Sequence, residues 1–193
     1  MADRPETAVL GGVELLERAI GYTHGSLQLV SADLLNRQTP CRDWNLRDLL
    51  EHMADSLVAL SDAAEIGRVD LEPCELTGEF AVDIVRVLHE RACRLLGAWT
   101  NADTSRDVAI GDQSLMSNLL TSAGALEVAV HGWDVARACG HDRPIPAALA
   151  EELLEVAPVL VTEVDRVGRF AARVPVSPLA RPSDLLTAYL GRR

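Results

Sequence analysis

The chain has 193 residues, a formal net charge of −11 and 48% hydrophobic residues, enough to bury one core. All 18 of its basic residues are arginine. The lack of lysine excludes Schiff-base chemistry and a P-loop, and the acidic balance argues against nucleic acid and membrane surfaces as partners.

Four scattered cysteines (Cys41, Cys74, Cys93, Cys139) form no Cys-x-x-Cys pair. No apolar leader is present, and no uncharged apolar run reaches about 18 residues. These features predict one domain over residues 1–193 in the cytoplasm, with reduced thiols.

Val9, Val13, Leu16, Ile20, Leu27, Val30 and Leu34 recur at helical spacing, which predicts a helix over residues 9–35. Gln38, Thr39, Pro40 and Cys41 break it. Asn45 caps a second helix, with Asp48 as its capping-box partner three residues on. Leu46, Leu49, Leu50, Met53, Leu57 and Leu60 form its apolar stripe. Residues 66–78, with glycine, proline and acids, read as a loop. A third helix runs from about Glu79 to Trp99, with Phe80, Ile84, Val85, Leu88, Ala92, Leu95 and Trp99 inward.

Residues 101–113 are polar and read as a loop. Ser114 caps a fourth helix that ends at Gly140. A fifth starts around Pro146 and is kinked or ended by Pro158. Ser183 caps a last short helix, Asp184 to Leu190, closed by Gly191. Only Arg173 to Val176 shows any strand alternation. The expected architecture is all-α: a four-helix bundle with additional short C-terminal helices.

The fourth helix carries Glu127 and His131 at i,i+4, about 40° apart around the axis and so on one face. A carboxylate and an imidazole so placed can chelate one metal ion, or form a plain ion pair. Asp134 continues that face, where a charge is costly unless paired or metal-bound. His52 sits at the edge of the second helix's stripe. His52, Glu127 and His131 together have the composition of a two-histidine, one-carboxylate metal site with open positions. Asp134 can orient a ligand imidazole, or pair with Arg137. His89 and Cys93, also i,i+4, are a rival pair that zinc accepts, but charged neighbours make His89 a surface or edge residue. His24 reads as a helix-surface residue and His141 as a loop residue. No nucleophile elbow or glycine-rich phosphate loop is present.

Three segments together resemble a known family. They are Thr39-Pro40-Cys41-Arg42-Asp43-Trp44-Asn45 running on to His52, Glu127-x3-His131-Gly132-Trp133-Asp134 running on to Arg137 and Gly140, and Pro175 to Gly191. The resemblance is to the DinB-like metal-binding superfamily, in the branch of the mycothiol-dependent maleylpyruvate isomerase N-terminal domain. It implies a DinB-like four-helix bundle holding a divalent metal, zinc with nickel as the alternative, on His52, Glu127 and His131. It also implies thiol chemistry with mycothiol. About fifty residues follow Gly140, fewer than the C-terminal domain of that isomerase, so the expectation does not extend to maleylpyruvate isomerisation itself.

The expected function is that of a metal-dependent thiol transferase or thiol-assisted isomerase, acting on a small electrophile with a low-molecular-weight thiol. Asp134 would orient a ligand or relay a proton, and Arg137 would bind carboxylates. The alternatives are a thiol-independent metal-dependent hydrolase or lyase/isomerase, and a non-catalytic metal-binding module. A homodimer through an apolar helix face is compatible with the pattern.

Overall fold

The structure is a computed structural model that describes residues 11–41, 43–69, 81–102, 107–110, 113–166 and 170–192. The apolar stripes become four long helices: α1 (Gly12–Leu27), α2 (Leu46–Ile66), α3 (Ala81–Asn101) and α4 (Ser117–Ala138). Three shorter helices follow: α5 (Ala147–Leu160), α6 (Glu163–Arg166) and α7 (Pro182–Tyr189). The four-helix bundle with short C-terminal helices is therefore present as expected. Val9, Cys74 and Phe80 lie outside the described residues.

Helix α4 packs along α1 and against α2; α2 packs on α3, and α3 returns to α1. Consecutive α1 and α2 thus face each other across a diagonal, as do α3 and α4. The segment joining α1 to α2 must cross one end of the bundle. Leu16, Leu49, Leu50, Leu88, Leu95 and Trp99 are among the fully buried side chains at its centre.

Helix α1 ends at Leu27, earlier than its periodicity predicts. Ser31 is extended (φ −132°, ψ 161°), and its hydroxyl donates to Asp33 at 2.6 Å, opening a 3₁₀ turn over Ala32–Leu34. Such a local side-chain bond competes with continued helix. At the start of α2 the predicted capping box is complete: Asn45 Oδ1 accepts from the Asp48 amide, and Asp48 Oδ2 accepts from the Asn45 amide, both at 3.0 Å. Asn45→Ala is expected to cost about 1 kcal/mol, a fall of roughly 2–4 °C in the thermal midpoint, read by circular dichroism.

Helix α4 is buried on almost every side. Its small residues let α1 come close: a Cβ on Gly132 would lie 2.3 Å from Thr23 Oγ1. The Thr23 hydroxyl donates instead to the Val128 carbonyl at 2.8 Å. Polar side chains on α4 are thereby held at fixed depth inside the bundle.

The structure corrects the expectation of a loop over residues 101–113. A small sheet stands there, with β1 (Arg68–Val69) parallel to β2 (Asp107–Ile110) and β2 antiparallel to β3 (Gln113–Met116). Gly111-Asp112 between two short runs is the hairpin signal in the sequence. Ser114 stands in β3 opposite Ala109, so it does not cap α4, whose N-cap residue is Met116. Arg173 to Val176 forms no strand. Pro158 sits in the last turn of α5, which ends two residues on, at Leu160. Ser183 lies inside the first turn of α7, and its hydroxyl accepts from the Ile145 amide at 3.0 Å rather than capping its own helix. No helix among the described residues is long and apolar enough to cross a membrane.

Candidate metal centre

Helices α2 and α4 are neighbours in the bundle, and this brings His52 to Glu127 across 75 residues of sequence. Glu127 Oε1 lies 2.6 Å from His52 Nε2 and 3.1 Å from His131 Nε2. One carboxylate oxygen thus faces two imidazole nitrogens. Ser56 Oγ, one turn after His52, donates to the same oxygen at 3.4 Å. Trp44, on the segment that crosses the bundle end, packs its ring 4.5 Å from that of His52. The two histidine rings meet edge to face at 5.2 Å.

Asp134, fully buried, accepts from His131 Nδ1 on Oδ2 at 3.0 Å. A carboxylate only accepts, so Nδ1 carries the hydrogen and the Nε2 lone pair of the neutral ring points at Glu127. Two acceptors 3.1 Å apart need a cation between or beside them. In the protein alone that cation is a proton. Burial pulls the His131 pKa down, but Glu127 and Asp134 on either side overcome this and raise it to about 9. Burial likewise pushes Glu127 up, and the histidines hold it well below the ordinary carboxylate range.

A divalent ion can take the place of that proton. Donors about 3 Å apart suit an ion with bonds of about 2.1 Å, and His52, Glu127 and His131 each offer one ligand atom, all within 4.8 Å of one another. The Asp134 bond to Nδ1 is the usual way a ligand histidine is oriented. The donor set therefore fits a divalent metal. Cys41 also approaches His131 and Asp134. However, Asp134 Oδ2 is already engaged by His131 and Arg192, and burial pushes the Cys41 thiol up, so it stays protonated at neutral pH.

The cluster forms one wall of a cavity of about 810 Å³, lined also by Cys41, Trp44, Phe170, Gly191 and Arg192. Arg192 is a residue of the cavity wall to which the sequence reading assigned no role. Its guanidinium, 8% exposed, lies 3.3 Å from Asp134 Oδ2 and 3.9 Å from Cys41 Sγ. Gly191 aims it there. With φ at 79°, Gly191 closes α7 in the left-handed region, and a Cβ would meet the Ala171 carbonyl at 2.5 Å. The sequence marked Gly191 as a helix stop, and Arg192 after it closes the C-terminal segment that carries the resemblance, although no role was read from it there. Arg137, by contrast, is half-exposed, stacks over Trp133 and lies 3.8 Å from Asp142. It is not part of the described cavity wall.

The charge arrangement sets a pH dependence for the metal-free protein. A group whose pKa is raised by folding stabilises fully below its unfolded value and loses that contribution as pH rises through the folded one. For His131 the loss spans about 6.5 to about 9. For Glu127, depressed by folding, the contribution is present above 4.5 and is lost toward acid. The thermal midpoint in chelator is expected to peak between these limits and to fall from pH 6.5 to 9. A midpoint that rises over that interval would contradict the assignment of the proton to His131.

The histidine of the second helix, the Glu-x3-His helix and the bundle invite comparison with known proteins. Residues 16–136 match the family model described as the mycothiol maleylpyruvate isomerase N-terminal domain. Uncharacterised proteins from two strains of Mycobacterium tuberculosis (CDC 1551 / Oshkosh and ATCC 25618 / H37Rv) are each 28% identical over 169 residues, covering 84% of this chain and 87% of theirs. Two crystal structures of the mycothiol-dependent maleylpyruvate isomerase, one of them a histidine-to-alanine mutant, superpose with TM-scores of 0.61 and 0.58. They are 16% and 17% identical, and each match covers 81% of this chain and 70% of theirs, which establishes a shared fold. With its helical bundle and a family match over more than half its length, the chain belongs to the mycothiol maleylpyruvate isomerase N-terminal domain family.

Proposed function

We propose that the protein is a divalent-metal-dependent enzyme of the cytoplasm that brings a low-molecular-weight thiol, mycothiol, to a small electrophilic substrate, as a thiol transferase or thiol-assisted isomerase. The observation that carries this reading is the single Glu127 oxygen facing two imidazole nitrogens on the wall of a cavity of about 810 Å³. That volume is within the range of small-molecule sites. The name of the isomerase to which the chain is structurally similar supplies the thiol.

His52, Glu127 and His131 would hold the ion, zinc before nickel because nitrogen and oxygen donors in a three-residue set suit it. When bound, such an ion lowers the pKa of a thiol or water that it ligates, so that the nucleophile is available at neutral pH. The remaining steps belong to the chain's own side chains. Asp134 holds the Nδ1 hydrogen of His131 and so keeps Nε2 free for ligation. Arg192 balances Asp134 and gives the cavity wall a cation, which suits a carboxylate-bearing thiol or substrate better than the surface-placed Arg137. Cys41, held as a neutral thiol, does not compete as a nucleophile.

The test uses zinc-loaded protein with mycothiol and an electrophile such as a haloarene, an epoxide or a cis-configured conjugated diacid. A thiol-dependent rate above the uncatalysed one is expected, and it should vanish in His52→Ala. No such rate across several thiols and electrophiles would overturn the proposal. Turnover indifferent to thiol would instead point to a metal-dependent hydrolase or lyase.

A further inference from the structure

His52 and His131 face the same Glu127 oxygen, but the two rings are held differently. His131 Nδ1 donates to Asp134, and that side chain is 5% exposed. The His52 side chain is 36% exposed, and Nε2 with Glu127 is its one hydrogen-bond contact among the described residues. The χ2 torsion of histidine is broad. A partly open ring anchored at one atom is therefore free to swing its plane unless something lies against its face.

Trp44 lies there. Its ring centre is 4.5 Å from that of His52, at a tilt of 48°, and 6.2 Å from that of His131. Favourable aromatic pairs stand about 4.5–7 Å apart. The backbone that carries Trp44 is itself pinned. Asp43 stands at φ 66°, a left-handed conformation that aspartate tolerates, and the Trp44 amide donates to the Cys41 carbonyl at 3.3 Å. The Trp44 carbonyl accepts from the amide and the hydroxyl of Thr39, at 3.2 and 3.0 Å. Gln38 and Asn45 pair beside it as an antiparallel bridge, and Asn45 caps α2. The indole is thus fixed relative to the start of the helix that carries His52.

We infer that Trp44 is the positioning residue of His52. Its indole does for this ring what the Asp134 carboxylate does for His131, keeping Nε2 directed at Glu127. One imidazole is oriented by a hydrogen bond and the other by ring contact. A ring held by contact alone gains orientation without the added basicity that a carboxylate partner supplies. The inference rests on the metal reading only where zinc is the readout, because the orientation of His52 can be measured without an ion.

Metal-free protein labelled with 13C in the rings of its five histidines is followed by NMR relaxation, which reads ring motion on the picosecond-to-nanosecond scale. His52→Ala identifies the His52 signal. In the wild type both the His52 and His131 rings are expected to be rigid, with a nuclear Overhauser effect between His52 and Trp44. Trp44→Leu should loosen His52 and leave His131 rigid, and Trp44→Phe, which keeps a ring, should restore most of the order. A His52 ring that is mobile in the wild type, that stays rigid in Trp44→Leu, or that loosens together with His131 would overturn the inference. The zinc arm is a double-mutant cycle. Trp44→Leu should weaken zinc binding about two- to tenfold, the worth of an aromatic pair, and should have no effect in a His52→Ala background. An equal loss in both backgrounds would also overturn it. A wild type that binds no zinc would instead sink the metal reading, and the ring motion would still decide the role of Trp44.

Discussion

Replacing His131 with alanine is expected to lower divalent-metal affinity by more than about a hundredfold, the upper limit for loss of a group that only orients a ligand. His131 is the most buried of the three donors, at 5% exposure against 36% for His52 and 35% for Glu127. It is also the one whose ring is fixed from behind, by Asp134. Metal content after dialysis and competition with a chromogenic chelator give the measurement. His52→Ala is the comparison. If either variant keeps full metal content, the three-donor site as assigned is wrong. The His131 variant also removes the ring that holds the shared proton, so its metal-free form should lose the decline in thermal midpoint between pH 6.5 and 9.

The second large effect is on stability. Asp134→Ala leaves the Arg192 guanidinium, 8% exposed, without its carboxylate. Breaking one side of a buried ion pair costs about 3–5 kcal/mol, equivalent to a fall of roughly 6–20 °C in thermal midpoint for a chain of this size. The same change frees the His131 ring and is expected to weaken metal binding by about 10- to 100-fold. Thermal unfolding of Asp134→Ala against the Asp134→Ala/Arg192→Leu double variant separates the two roles. The double variant should regain stability without regaining metal. A double variant no more stable than the single one would mean that the buried charge is not what destabilises it.

The four long helices were legible because their stripes of leucine repeat at helical spacing, and the Asn45–Asp48 box marks one boundary to the residue. Two of the three proposed metal donors were legible for a related reason. Glu127 and His131 are neighbours on one helix, so their spacing alone brings them together. His52 was joined to them by its residue type and by the family resemblance; what lay beyond reach was the contact of Arg192 with distant elements. Arg192 meets Cys41 across 151 residues, and only the packing of α7 on α5 and the turn at Gly191 bring it there. The small sheet was missed for the opposite reason. Its strands are two to four residues long, too short for alternation to show. Ser114 and Ser183 looked like caps because serine favours that role, but β3 and the Ile145 amide claimed them first.

The placement of α2 beside α4 also bears on how an ion would reach the proposed site. Of the three proposed donors, the unfolded chain brings only Glu127 and His131 together locally. His52 joins them once α2 has docked on α4. Contacts of such long sequence separation form slowly, because loop closure precedes any gain from them. An ion held at the proposed site would therefore be a late arrival, captured by an assembled bundle rather than nucleating it. In refolding with a coloured divalent ion such as cobalt, helix signal should appear first and the ligand-field spectrum last, at a rate independent of cobalt once it is in excess.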